Sequence, residues 1–246
     1  MLSKFLVNSS KSFTKSQIRF SSSSKGFFVE RATSCDSAKI LNFLDENFLK
    51  NEPLAKVLIR GDHPEITRKV YKESVDQGLS VVARRIDGEK EIIGINLNGR
   101  SHKNSGDDLM KTAKEISDPG YRKFLETIAI IEMESNACKK LNIVEIFGIK
   151  FLSVSKEFWG KGVSVRLLQK SIDVALEENF KFGKVNCVNE NCKKFSEQFG
   201  LTKAWSMPYS NILCRGDILP RGFPEPPHNI AYVYYAEMNK FAKSEN

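Results

Sequence analysis

The segment from Leu152, Ser153 and Val154 to Trp159, Gly160, Lys161, Gly162, Val163 and Ser164 reads as a strand that enters a glycine-bearing loop, from which a helix starts at once. Successive backbone N–H groups in such a loop point into one concavity, and the helix dipole favours negative charge there. Gly160 and Gly162 let the backbone approach a ligand that a Cβ would hold off. The chemistry this arrangement suits is the binding of a pyrophosphate. A plain strand–turn–helix connection is the other reading. The segment is not a Walker A loop, because no Gly-Lys-Ser/Thr follows at the required spacing. A dinucleotide fingerprint would normally sit on the first strand of the chain.

A second centre of chemistry is Glu52. It directly precedes Pro53, which biases its backbone away from the α region and into an extended corner. The carboxylate then stands just beyond a helix end, where it could take up a proton. A surface glutamate at a helix terminus is the plainer alternative. The five cysteines, Cys35, Cys138, Cys187, Cys192 and Cys214, are odd in number and follow no secretory pattern, so free thiols are expected. Cys187, Cys192 and His228 lack the short spacing of a zinc site, and no metal is expected.

The elements that must position these residues follow from periodicity. Phe27–Arg31 reads as a strand. Thr33 and Asp36 form a capping box for a helix running to about Lys50 on the stripe Leu41, Leu44 and Phe48, with Asn51 able to end it in a left-handed conformation. Asp62 and Glu65 open a helix that Gly78 ends. Strands follow at 79–86 and 91–98 around an Asp87-Gly88 turn. Asp118-Pro119 starts a helix with Tyr121, Leu125 and Ile128 on one face. A strand at 145–154 leads into the loop, and the next helix has Val165, Leu168, Ile172 and Ala175 as its buried stripe. Strand, helix, strand and a final strand at 230–238 complete the chain. The expected fold is α/β (α+β), one twisted mixed sheet with helices on both faces.

The net charge is +8, but residues 1–25 contain Lys4, Lys11, Lys15, Arg19 and Lys25 and no acid, leaving +3 for residues 26–246. A nucleic-acid partner is therefore not expected. No apolar run reaches the ~18–20 residues of a membrane span. The serine-rich basic tail, with Leu2, Phe5 and Leu6 at helical spacing, has the composition of a mitochondrial transit peptide, and Arg19-Phe20 before Ser21 resembles a cleavage region. A mitochondrial matrix address is expected, with a disordered basic tail on a cytoplasmic protein as the alternative. Residues 26–246 would form one domain.

From Phe28 to Lys240 the chain resembles the GNAT acetyltransferases, and within them the insect arylalkylamine (dopamine-type) N-acetyltransferases. Trp159-Gly160-Lys161-Gly162-Val163-Ser164 is similar to their Arg/Gln-x-x-Gly-x-Gly/Ala loop, and residues 148–154 to their fourth strand. Phe48-Leu49-Lys50-Asn51-Glu52-Pro53-Leu54 resembles the acidic corner of the insect enzymes, as Pro227-His228-Asn229-Ile230 resembles their ending. The resemblance implies acetyl-CoA as co-substrate, its pyrophosphate on the loop and its thioester beside Leu152, Ser153 and Val154. It also implies Glu52 as catalytic base for a small primary amine, and a region around Asp107–Leu141 that walls the amine pocket. Within that region Asp118, Glu126, Glu132 and Glu134 could attract an ammonium group, and Tyr121 and Phe124 could supply aromatic walls. The chain departs from the pattern at Trp159, which replaces Arg or Gln, at Val188 and Cys192, which replace two serines, and at Ser196, which replaces a tyrosine. Direct attack by the amine is expected, with an acetyl-Cys192 intermediate as the lesser route. Acylation of glycine or protein lysines, and CoA binding without catalysis, are the competing functions.

Overall fold

The computed structural model describes residues 26–59, 65–215, 220 and 222–242. The expected address in residues 1–25 and the capping role of Asp62 lie outside the described residues. The elements run β1 (Phe27–Arg31), α1 (Ser37–Leu44), α2 (Pro53–Leu58), α3 (Glu65–Asp76), β2 (Val81–Arg85), β3 (Ile92–His102), α4 (Ser105–Lys114), α5 (Pro119–Ser135) and α6 (Ala137–Leu141). There follow β4 (Glu145–Val154), α7 (Val163–Glu177), β5 (Phe182–Cys187), α8 (Glu190–Gln198), β6 (Thr202–Pro208), α9 (Tyr209–Leu213) and β7 (Ile230–Glu237). No helix among the described residues is long and apolar enough to cross a membrane.

Seven strands form one mixed sheet in the order β1-β2-β3-β4-β5-β7-β6. Only β4 and β5 run parallel, as the α7 crossover between them requires. One face packs against α7, where Val81, Ala83, Ile93 and Phe147 meet Val163, Leu167 and Val174. The other face lies under α1, α3 and α5, with Ile95 and Leu97 set among Leu44, Leu54, Phe124 and Leu125.

Two features bring α7 close to the sheet. Gly94 leaves room for it, because a Cβ there would stand 3.1 Å from both Leu167 and Val163. Buried Ser171 accepts hydrogen bonds from Asn96 at 2.8 Å and Asn98 at 2.9 Å. The buried stripe of α7 thus includes Leu167, Ser171 and Val174, while Val165, expected in it, is only half-buried. Its rotation is set by this polar pin as well as by apolar spacing.

The expected first helix is interrupted. After the Thr33–Asp36 box, in which the Thr33 N–H donates to Asp36 at 3.0 Å, a 3₁₀ turn leads into α1. The chain then widens into a π turn over Asp45–Leu49. Asn51 does not take the left-handed conformation expected of it. The turn instead exits through an extended residue, Glu52, while the Asn51 side chain donates to the Asn47 carbonyl at 3.0 Å. The loop after β2 does turn through Gly88, at φ +71°. Four short helices, α2, α4, α6 and α9, were not expected, and α8 begins at Glu190, where Asn189 caps it.

Candidate active site

Glu52 stands between the π turn and α2. Its N–H donates to the Phe48 carbonyl at 2.8 Å, its ψ is 125°, and Pro53 supplies the first residue of α2. Its side chain caps that helix, Oε2 accepting the Ala55 N–H at 2.6 Å. The residue is 3 % exposed, and Oε1 is buried with no hydrogen bond among the described residues. Burial therefore pushes the carboxyl up to about 7, against the opposing pull of the Ala55 and Leu54 amides, the Asn189 side chain and Lys56.

Three further elements converge on this carboxyl, on the face of the sheet opposite α7. Asn189 follows β5 and accepts the Cys192 N–H at 2.9 Å. Tyr209, at the start of α9, is fully buried and donates to the Val188 carbonyl at 2.8 Å. Burial and the neighbouring Glu52 raise its hydroxyl above the usual range, so it stays protonated. Tyr71 of α3, also buried, feels the same carboxylate. Sequence reasoning missed Asn189, Tyr209 and Tyr71. Asn before a helical run was a visible cap signal for the first, whereas nothing local marks the two tyrosines.

The sheet is split beside this group. β4 pairs with β5 only over Phe147–Ile149 and Gly183–Val185. Against β3, Phe151 faces Leu97 and Ile149 faces Asn98, so Lys150 is the extra residue of a bulge. Beyond that rung β4 stays with β3 as far as Val154, and β5 stays with β7 as far as Cys187. A wedge therefore opens between 150–154 and 186–187, and Leu152, Ser153 and Val154 lie on its β4 side.

The wedge leads to the loop. Lys156–Phe158 makes a 3₁₀ turn, and Gly160 and Gly162 adopt φ of +73° and +80° with open space where a Cβ would be. Glycine is needed here for the left-handed backbone, which adds to the argument from close approach. Gly162 is the N-cap of α7 and no side chain caps that end. The first-turn amides of Val163 and Ser164 thus have no intrahelical acceptor, and they present the positive end of a 15-residue helix. Trp159 is 60 % exposed, and its indole Nε1 donates to the Val154 carbonyl at 2.8 Å. The Lys161 ammonium stands 4.7 Å from the Phe158 ring centre. These observations fit an anionic diphosphate held mainly by backbone donors.

A cavity of about 250 Å³ lies on the opposite face of the sheet from α7, with Tyr71, Phe124, Lys150, Phe151, Asn186 and Val188 among its walls. Of Asp118, Glu126, Glu132 and Glu134, Glu132 reaches it, accepting from Lys184 and, at 2.7 Å, from Asn186. The others are engaged elsewhere. Asp118 caps α5, Glu126 bonds Arg122 at 3.0 Å, and Glu134 pairs with Arg215. Tyr121 belongs to the core, whereas Phe124 does form a cavity wall.

At the departures from the family pattern, Val188 lines the cavity and Ser196 is buried with its Oγ 3.2 Å from the Cys187 Sγ. The Cys192 thiol is pushed well above its ordinary range, first by a hydrogen bond with Cys187 and then by burial. That works against a thiolate able to carry an acetyl group. All five cysteines are free. The His228 ring accepts the Glu190 N–H at 3.3 Å, and no metal-holding cluster occurs among the described residues.

This architecture, a mixed sheet split between two parallel strands with a helix amide cradle at the mouth of the split, is the GNAT α/β fold. The chain superposes on a mosquito arylalkylamine N-acetyltransferase-like 5b with a TM-score of 0.78 at 18 % identity, covering 86 % of this chain and 99 % of that one. Arylalkylamine N-acetyltransferase 2 from Aedes aegypti matches with a TM-score of 0.76 at 22 % identity, covering 87 % and 99 %. A Drosophila melanogaster polyamine N-acetyltransferase that forms N-acetylagmatine matches with a TM-score of 0.75 at 16 % identity, covering 86 % and 99 %. No protein-family model matches the chain.

Proposed function

We propose that the protein is an N-acetyltransferase that moves the acetyl group of acetyl-CoA to a small primary amine of the arylalkylamine kind. The observation that carries this reading is Glu52, a buried carboxyl with one oxygen fixed by the Ala55 amide, the other unpaired, and an ionisation near neutrality. An alkylammonium titrates near pKa ~10 and must lose a proton before it can attack. A carboxylate with a pKa near the working pH is suited to accept it. Since Oε1 has almost no accessible surface, the proton reaches it through a water or after a small movement of the surrounding side chains.

In this reading the α7 amides and the loop at Trp159–Ser164 hold the CoA pyrophosphate, and the pantetheine arm enters the wedge beside Leu152, Ser153 and Val154. The amine nitrogen bonds to the thioester carbonyl carbon, the carbon–sulfur bond breaks, and the CoA thiolate leaves and takes up a proton. Backbone N–H groups freed from strand pairing in the wedge can stabilise the oxyanion, a contribution of roughly 3–4 kcal/mol per donor in other enzymes. Aromatic Tyr71, Phe124 and Phe151 give the acceptor cavity walls suited to an aryl ring.

The test is CoA release from acetyl-CoA with phenethylamine, dopamine, agmatine, spermidine, glycine and a lysine peptide. Aryl-amine turnover should rise with pH through about 7 as Glu52 ionises. Glu52→Gln should lower kcat/KM by roughly 10²–10⁴ and abolish that limb. Turnover of glycine or peptide alone would reassign the acceptor, and CoA binding without turnover of any amine would remove the enzymatic reading.

A further inference from the structure

We propose that the acceptor amine also carries a carboxylate, and that Lys150 binds it within the cavity beside Glu52. The proposal rests on the N-acetyltransferase reading above and narrows its substrate class.

Lys150 is placed with care by the fold. As the extra residue of the β4 bulge, it runs its side chain over Gly99, where a Cβ would stand 2.8 Å from its Cε and 2.9 Å from its Nζ. Its Nζ donates to the Ser74 hydroxyl of α3 at 2.8 Å. The side chain keeps a large open surface where it lines the cavity, and burial still lowers its proton affinity, with the charges of Glu132 and Glu73 acting the other way. A ligand that fills the cavity strips water from this ammonium, which costs less when the ligand brings an anion to it.

The other charges of the cavity are already neutralised. Glu132 is taken by Lys184 and Asn186, and Arg100 by Glu145 at 2.7 Å and Glu178 at 3.3 Å. Asp108 meets His102 at 3.7 Å and Lys111 at 3.5 Å. Glu73 is exposed at the rim, where water solvates it. Among the described residues no carboxylate lies within ion-pair distance of Lys150. Of the basic side chains lining the cavity, it is the one with no carboxylate in contact, and it is open to a ligand.

The placement also fits the reaction. Lys150 and Asn186 are the first residues of β4 and β5 beyond the last paired rung, so the cavity opens at the wedge. Tyr71 and Val188 form its wall on the side of Glu52, Val188 being followed by the Asn189 that faces that carboxyl. A compact zwitterion can thus hold its amine toward Glu52 and its carboxylate at Lys150. The volume, about 250 Å³, is modest for a ligand pocket and suits an amino acid better than a long polyamine.

The experiment compares matched acceptors with the full chain and acetyl-CoA. One pair is 4-aminobutanoate and butylamine, whose amines are similarly basic, and the other is phenylalanine and phenethylamine. In the wild type the carboxylated partner should have kcat/KM roughly tenfold or more higher in at least one pair, carried by KM, as expected for a charge-assisted bond. Lys150→Met should collapse that ratio and Lys150→Arg should restore part of it. Equal or better use of the uncarboxylated amines by the wild type would overturn the proposal and leave the acetyltransferase reading intact, whether or not Lys150→Met folds. If no amine is turned over, the catalytic reading fails, and calorimetry with 4-aminobutanoate still decides the cavity. Binding that Lys150→Met removes sustains it, and no binding to the wild type overturns it.

Discussion

The indole of Trp159 is tied to the carbonyl of Val154, five residues earlier, by a 2.8 Å hydrogen bond that closes the end of β4 onto the glycine loop. The ring is exposed and lies at the mouth of the wedge, so a ligand entering there must change its surroundings. The chain has two tryptophans, which makes the measurement simple. In a Trp205→Phe variant, CoA should still quench or shift the emission. In Trp159→Phe that response should vanish.

The same loop predicts the effect of replacing Gly162. At φ +80° any side chain costs roughly 1–2 kcal/mol in backbone strain. A large one would also cover the α7 amides. Gly162→Trp should therefore weaken CoA binding roughly tenfold or more by calorimetry, while the protein still melts cooperatively. Unchanged affinity in the folded variant would move the cofactor elsewhere.

Glu52 makes a prediction about stability as well as catalysis. Its folded ionisation is raised from 4.5 to about 7, so the native state holds this proton more tightly than the unfolded chain does. Stability from this group is fully present below about 4.5 and is lost as pH rises through 7, by roughly 3 kcal/mol. The wild-type Tm should fall between pH 5 and pH 8 by several degrees more than that of Glu52→Gln. Parallel melting curves for the two proteins would show that the carboxyl is more hydrated than its surroundings imply.

Cys192 gives a prediction of little effect. Its thiol is held protonated beside Cys187, so Cys192→Ala should keep acetyl transfer within a few-fold. Intact-mass spectra of the wild type mixed with acetyl-CoA alone should show no acetyl adduct at that residue. An adduct that the amine discharges would establish a two-step route instead.

For residues 1–25 we propose a mitochondrial address on composition. A fluorescent reporter fused to residues 1–30 should enter the matrix, and replacing Lys4, Lys11, Lys15 and Arg19 with Gln should keep it out. A cytosolic reporter would end that proposal.

What the sequence disclosed, it disclosed through local chemistry. Glu52 before Pro53, glycines at a strand–helix junction and Asp118 before Pro119 are short-range signals, and each stands where its backbone preference puts it. What stayed hidden depends on distant partners. Tyr71, Asn189 and Tyr209 come from three elements and meet only because the sheet and its helices bring them together. Lys150 reads in sequence as an ordinary polar residue on an alternating strand, and only the bulge against β3 and the bare backbone of Gly99 lay it along the cavity. α4 was missed because it is short and mostly polar, and it is held by close packing of Gly106 on Met133 of α5.

The π turn over Asp45–Leu49 carries a consequence for how this site can evolve. Such a turn amounts to one residue more than an α-helix would hold in the same rise. Losing a residue there would let the helix rewind and would swing the following corner by about 100°. Glu52 would then point away from Asn189 and Tyr209 although no side chain in the site had changed. The direction of the carboxyl is thus encoded by a count, so the segment between α1 and α2 should accept many substitutions and very few insertions or deletions.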